Sequence, residues 1–391
     1  SIPLASAQSQ TAAGSRITVS VESLAADIVN VFSEGPSGES HALLAVLASE
    51  ACLKIKSYTS QCLSNTAWAC AVLHHTNHSL LLSIASASTD TIHDFNPQSL
   101  ANIAWAFATL GFADTTLLSS ISLEVHTKLH AFEGQGIANI AWSWATLQVM
   151  DTPLMDSLAL TALPELHEYS VQNLANIAWS FAVCEMMPGP LYDALSALAL
   201  SKMTSICKQS CKGELLQSYT QFILAIAWSF SFLHCMGDSM FAECLDVVRY
   251  LGRELDKLTC GKWSARQARR RQKVDLIQTR SGNSPSLKIH LRGIVAIHKP
   301  TDWEVDGNAV DAQNIDHPPL SAFTQSIFPR DQFPIVWDAE RSYGFLHRLD
   351  IPSSGLIMGS TTYEGYYSLR LQLDTHRMQR DYMVLCQGLA P

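Results

Sequence analysis

QSLANIAWAFATL (98–110) decides how the first two thirds of this chain fold, because the sequence writes it five times. The other copies are QCLSNTAWACAVL (61–73), QGIANIAWSWATL (135–147), QNLANIAWSFAVC (172–184) and QFILAIAWSFSFL (221–233). Trp68, Trp105, Trp142 and Trp179 recur every 37 residues, and Trp228 follows after 49. A fixed period of this length is the mark of a repeat architecture. Within 98–110, Leu100, Ile103, Ala104, Phe107 and Ala108 form an apolar stripe at the helical spacing. Asn96 is placed to cap the helix, Pro97 to open it and Gly111 to stop it. A second helix is expected over Thr115–His130, with counterparts at Thr152–Tyr169 and Pro190–Met203. The twelve extra residues before Trp228, around Lys202–Glu214, read as a loop insertion. The expected object is an α-solenoid of helical hairpins, its Ala positions allowing close approach and its Trp side chains filling gaps between units. Asn102, Asn139 and Asn176 either point into the groove or satisfy backbone groups between helices.

Over about residues 40–250 the AN-x-AW-x-x-A-x-L block resembles the octotricopeptide repeat family, which implies an organellar RNA-binding platform. Charge pulls the other way. Residues 1–250 hold 8 Lys+Arg against 20 Asp+Glu, and the remaining 141 hold 18 against 15. Phosphate neutralisation supplies most nucleic-acid affinity, and Lys128, Lys202, Lys208 and Lys212 are the only cations in the best repeats. A protein partner on the acidic repeat face is the competing expectation.

The whole chain has 391 residues, 47% hydrophobic and 16% charged, which excludes a disordered polymer and calls for more than one domain. A net charge of -9 excludes a uniformly basic nucleic-acid binder. Ten cysteines contain no C-x-x-C pair, so zinc-ligand spacing is missing and a reducing intracellular compartment is expected. The longest apolar run, Phe222–Leu233, is too short to span a bilayer, so no membrane partner is implied. The Ser/Ala-rich opening, residues 1–39, reads as a loose tail or the remnant of a transit peptide to chloroplast or mitochondrion.

From residue 251 the text changes. KWSARQARRRQK (262–273) carries six positive charges and no acid, and the turn-rich TRSGNSPS (279–286) closes a basic linker assigned to 251–286. LKIHL, GIVAIHK, YGFLHRLD, SGLIMGS and DYMVLCQG then read as short strands, with a helix at Tyr363–Thr375. The pattern predicts an α+β domain over 287–391, so the fold class is multidomain, a helical array followed by α+β.

Three segments of this domain together resemble the RluA-type pseudouridine synthases. HRLDIPSSGL (347–356) is similar to the family's HRLD-x-x-[TS]-SG signature, GIVAIHKPTDW (293–303) to its opening N-K-P-x-G motif, and RDYMVLCQG (380–388) to its K-x-Y strand. The resemblance implies Asp350 as the catalytic carboxylate and Tyr382 as the residue that stacks on the base and moves a proton. It implies Arg348, His347 and Arg380 as substrate-binding residues, RNA (ribosomal, transfer or an organellar transcript) as substrate, and no metal or cofactor. Lys299-Pro300 is expected to fix a strand-to-loop turn. Asp302 stands where the family has glycine and Arg380 where it has lysine. The family's later GR-x-HQ[IL]R-like segment has no counterpart, so the sequence is expected to hold the N-terminal part of the catalytic domain.

Overall fold

A computed structural model describes residues 38–208, 214–259, 284–305, 319–379 and Asp381. The chain divides into two compact units, Ser1–Ala194 and Leu195–Pro391. The basic stretch 262–273 lies outside the described residues.

The first unit is a run of helical hairpins. After α1 (Gly38–Lys54) come α2 (Ser60–Val72), α3 (His78–Asp90), α4 (Pro97–Thr109), α5 (Thr115–Lys128), α6 (Gly134–Leu147), α7 (Thr152–Ala162) and α8 (Val171–Val183), and α9 (Gly189–Lys208) crosses the division. The first helices of successive repeats pack side by side, α2 on α4, α4 on α6 and α6 on α8. Helix starts are locally encoded. Thr59, Asn96 and Ser170 side chains accept from backbone N–H groups of the first helices, and Asn77, Asp114 and Asp151 do so for the second helices. Each first helix ends on a left-handed residue at the same register: His74, Gly111, Gln148 and Glu185. The N–H after each of them bonds back to the carbonyl of Cys70, Phe107, Trp144 or Phe181, the wide turn that ties off orphan helix carbonyls.

The core consists of the small and branched residues of the repeat. Ala67, Ala104, Ala141 and Ala178 are buried, as are Leu63, Leu100, Ile137 and Leu174. Tryptophan corrects the sequence reading. The repeat tryptophans do not fill the core: Trp68 is 39% exposed and Trp105, Trp142 and Trp179 are half-buried. In three of these hairpins a fully buried aromatic stands two residues later, at Phe107, Trp144 and Phe181, and in the first the position is the buried Cys70. The insertion is also different from a plain loop, because α9 continues as helix through Lys202–Lys208.

The second unit contains α10 (Glu214–Phe232) and α11 (Asp238–Thr259), then β1 (Ser286–Leu291), β2 (Ile294–Lys299), α12 (Leu320–Ile327), β3 (Gly355–Ser360) and α13 (Tyr363–Asp374). The strands form one antiparallel sheet in the order β1-β2-β3, with Ile297 opposite Ile357 and Lys299 opposite Gly355. Val295, Ala296, Ile297 and Ile357 bury both faces of its centre. Helices α10 and α11, the end of the repeat text, pack on α13. Gly252 makes the closest approach, since a Cβ there would lie 2.4 Å from Glu364 Cα. Beside it the Asp256 carboxylate accepts from Tyr363 N (2.8 Å) and Glu364 N (3.2 Å), the first turn of α13. Packing therefore groups these helices with the α+β part, although composition changes only after them. Among the described residues no helix is long and apolar enough to cross a membrane.

Candidate active site

Two loops meet at one end of the sheet: the one leaving β2, Pro300–Trp303, and the one entering β3, Leu346–Ser354. The second begins alongside β3, with Phe345 bridged to Gly359 and Leu346 N bonded to Met358 O (3.2 Å). His347 extends that pairing through its ring, Nε2 accepting from Met358 N at 3.0 Å. An accepting Nε2 places the proton of the neutral ring on Nδ1, so His347 is engaged with the scaffold. The chain then turns at Asp350–Ser353, where Ser353 N donates to Asp350 O (3.0 Å). Arg348 and Asp350 sit on this turn with exposed side chains.

Lys299 anchors the turn from inside. It is 0% exposed, and its ammonium has three donors for three carbonyls: Trp303 O (2.8 Å), Pro300 O (3.1 Å) and Ile351 O (3.1 Å). Ile351 O accepts a second bond from Asp302 N (2.9 Å). The residue next to Asp350 is thus tied to both the end of β2 and the loop beyond it. Burial lowers the Lys299 pKa, and the carboxylates of Asp302 and Asp350 oppose that shift. Asp302 makes its bond at φ +67°, the left-handed conformation that explains why glycine would suit this position. Among the described residues the Asp350 carboxylate has no ion-pair partner.

Upstream, a polar cluster that no local pattern marks fixes the start of the loop. Arg341 Nη1 pairs with Asp338 Oδ2 (2.5 Å), Arg341 Nε donates to Tyr367 Oη (3.0 Å), and Tyr363 Oη donates to Asp338 Oδ2 (3.0 Å). Burial raises the Tyr363 pKa, and the Asp338 charge adds to the rise. Arg341 is held more strongly cationic by Tyr367 and Asp338, against the effect of burial. Above the cluster, Ser342 (φ +48°), Tyr343 (φ +54°) and Gly344 (φ +83°) are all left-handed, a reversal sustained by Tyr343 N donating to Asp338 O (2.8 Å). Glycine at 344 is required, because a Cβ would lie 2.4 Å from Ser360 O. Three left-handed residues in a row bring Phe345–His347 alongside β3.

Arg380 and Tyr382 lie outside the described residues. Among the described residues no cluster of three or more His, Cys, Asp or Glu side chains is placed to hold a metal ion.

Residues 294–391 match the RNA pseudouridylate synthase family. The match covers a quarter of the chain, opens at the first residue of β2 and includes both loops around Asp350. No curated protein matches the chain. The synthase-like region thus holds the buried lysine, the left-handed Asp302 and the exposed carboxylate in one structural unit, while α10 and α11 pack on it from outside the match.

Proposed function

We propose that the synthase-like domain isomerises uridine to pseudouridine in RNA, with Asp350 as the catalytic carboxylate. The observation that carries this reading is the presentation of Asp350: an exposed carboxylate on a turn whose next carbonyl is bonded by the buried Lys299 and by Asp302 N. The HRLD-x-x-S-SG text at 347–355 favours the RluA type within the family. The reaction breaks the N1–C1′ bond, forms C5–C1′, removes a proton from C5 and returns one to N1, so no oxidant or metal is consumed. Asp350 either attacks C1′ and is later displaced by C5, or takes the C2′ proton to give a glycal. The uridine must leave its stack to reach an exposed turn, and the exposed Arg348 beside it would occupy the vacated space. Tyr382 would stack on the extruded base, with Arg380 completing the substrate contacts, while His347, read from the sequence as a substrate contact, holds the loop to β3 instead.

The test is tritium release from RNA transcripts labelled at uridine C5. Asp350→Asn keeps shape and hydrogen bonding but removes the nucleophile and base, and should lower release about a thousandfold or more. Tritium release by the variant at the parent rate would refute the role of Asp350.

The resemblance of the repeats argues an RNA-binding platform for this enzyme, in a chloroplast or mitochondrion. Charge gives that platform little support. Between residues 60 and 183 there are nine Asp+Glu and one cation, Lys128. Its ammonium is already committed to Glu124 Oε1 (2.8 Å), His93 O (2.7 Å) and Phe95 O (2.7 Å).

A further inference from the structure

The first helices of the repeats carry a second pattern, independent of the one that builds the core. Gln, Asn and Trp recur at i, i+4 and i+7: Gln98-Asn102-Trp105 and Gln135-Asn139-Trp142, with the same triad from Gln61 and from Gln172. That spacing puts all three on one stripe of each helix. The glutamines are exposed, and the asparagines Asn65, Asn102, Asn139 and Asn176 are half-buried. Between α4 and α6 the stripes open into a trench of about 320 Å³, lined by Asn96, Gln98, Asn102, Glu133, Gln135 and Asn139.

The sequence left two roles for these asparagines, and the geometry separates them. Among the described residues no protein group hydrogen-bonds the side-chain amides of Asn102 or Asn139; the only bond at Asn139 beyond the helix ladder is to its backbone carbonyl, from Ser143 Oγ (2.6 Å). They do not tie one helix to the next. Nothing in the core explains a carboxamide kept at this register in four consecutive repeats.

We propose that this ladder binds an extended, basic polypeptide segment of a partner protein. A carboxamide offers one acceptor and paired donors, the complement of a peptide group with its C=O and N–H. Packed helices stand about 8–10 Å apart, and extended chain advances about 3.3 Å per residue, so each repeat spans about three residues of such a peptide. The half-exposed indoles offer faces for Lys and Arg side chains, which stack their stems and place a cation over the ring. Glu133 adds an exposed carboxylate to the lining, within a stretch carrying nine acids. Single-stranded RNA would also use amides and aromatic faces, but it needs a cationic track for its phosphates. The one cation of this stretch, Lys128, is bonded elsewhere.

Fluorescence anisotropy on the full chain tests the proposal with two labelled probes, a twelve-residue peptide of repeating Lys-Ser-Arg-Ser and a twelve-residue oligouridylate. The peptide should bind saturably. Asn102→Ala/Asn139→Ala should weaken it about tenfold or more, the loss expected from several hydrogen bonds. Glu133→Lys should weaken the peptide as well, and neither variant should change oligouridylate affinity. Far-ultraviolet circular dichroism establishes that the variants keep the parent helicity. The proposal is overturned if the peptide does not bind at low salt, if its binding ignores the paired substitution, or if that substitution weakens oligouridylate instead. None of these results bears on tritium release at Asp350.

Discussion

The two units hold themselves together by opposite means. The hairpins of the first unit bury alanine, leucine, isoleucine and phenylalanine at a 37-residue pitch, and each contact has copies one period away. The second unit relies on polar side chains that occur once: Lys299 under the Asp350 turn, Asp256 on the first turn of α13, and Arg341 between Asp338 and Tyr367. Dispersed apolar contacts degrade gradually under substitution, whereas a singular buried polar anchor leaves orphan partners when it is lost. Single changes should therefore cost most at the polar anchors of the second unit.

Lys299→Met should produce the largest effect. Methionine fills the volume, but three carbonyls lose their donor in a site closed to water, a penalty of about 3 kcal/mol or more in total. Because Ile351 O is one of those carbonyls, tritium release should fall together with the urea midpoint. Unchanged stability would show that water reaches these carbonyls and that the anchor is dispensable.

Gly252→Ala comes next. The added Cβ would meet Glu364 Cα at 2.4 Å and Glu364 N at 2.6 Å, backbone atoms that cannot rotate away. Helices α11 and α13 must then separate and loosen the Asp256 cap, a cost of about 1–3 kcal/mol in chemical denaturation. A variant as stable as the parent would refute the close approach of these two helices.

Asp256 supplies a pH test of the same joint. Burial raises its pKa from 3.8 to about 6, the bonds from Tyr363 and Glu364 N–H oppose the rise, and the Glu364 charge adds to it. The folded state then keeps its proton to about pH 6, while the unfolded chain releases it near 4. Over that window the native state binds more protons, so its stability falls as pH rises and levels off above the folded pKa. The total is at most about 3 kcal/mol, less whatever solvent screens at this partly exposed site. Asp256→Asn should remove that slope, so its urea midpoint gains on the parent between pH 4 and 6. Parallel curves would mean the carboxylate is well solvated.

How much of this was legible follows from the same contrast. The helix start at Asn96, the strands β1 to β3 and the helix α13 announce themselves within a few residues, through a cap, alternation and turn residues. Asp350 was legible only by likeness to a known motif, since an exposed aspartate on a turn has no signature of its own. The Asp256–Tyr363 contact spans 107 residues, and no local pattern marks it. Ser342 and Tyr343 carry no turn chemistry, so their left-handed backbone is imposed by Asp338 and Arg341 from outside. The repeat tryptophans misled because apolar character argues for burial. Their register, on one stripe with a glutamine and an asparagine, is what argued the other way.

Left-handed residues give the smallest and sharpest comparison, because both units contain them without glycine. Gln148 (φ +55°) closes α6 and Asp302 (φ +67°) closes the Lys299 loop. Glycine removes the clash between Cβ and the neighbouring carbonyl but adds freedom to the unfolded chain. At Gln148 nothing else changes, so Gln148→Gly should stabilise by about 0.5–1 kcal/mol. At Asp302 the same relief is offset, because the carboxylate supports the buried Lys299 ammonium. Asp302→Gly should therefore gain less than Gln148→Gly, and Asp302→Asn, which tolerates the backbone without the charge, should fall below the parent. Equal gains from the two glycines in thermal unfolding would show that the Asp302 charge contributes nothing to the anchor, leaving the three carbonyl bonds to hold Lys299 alone.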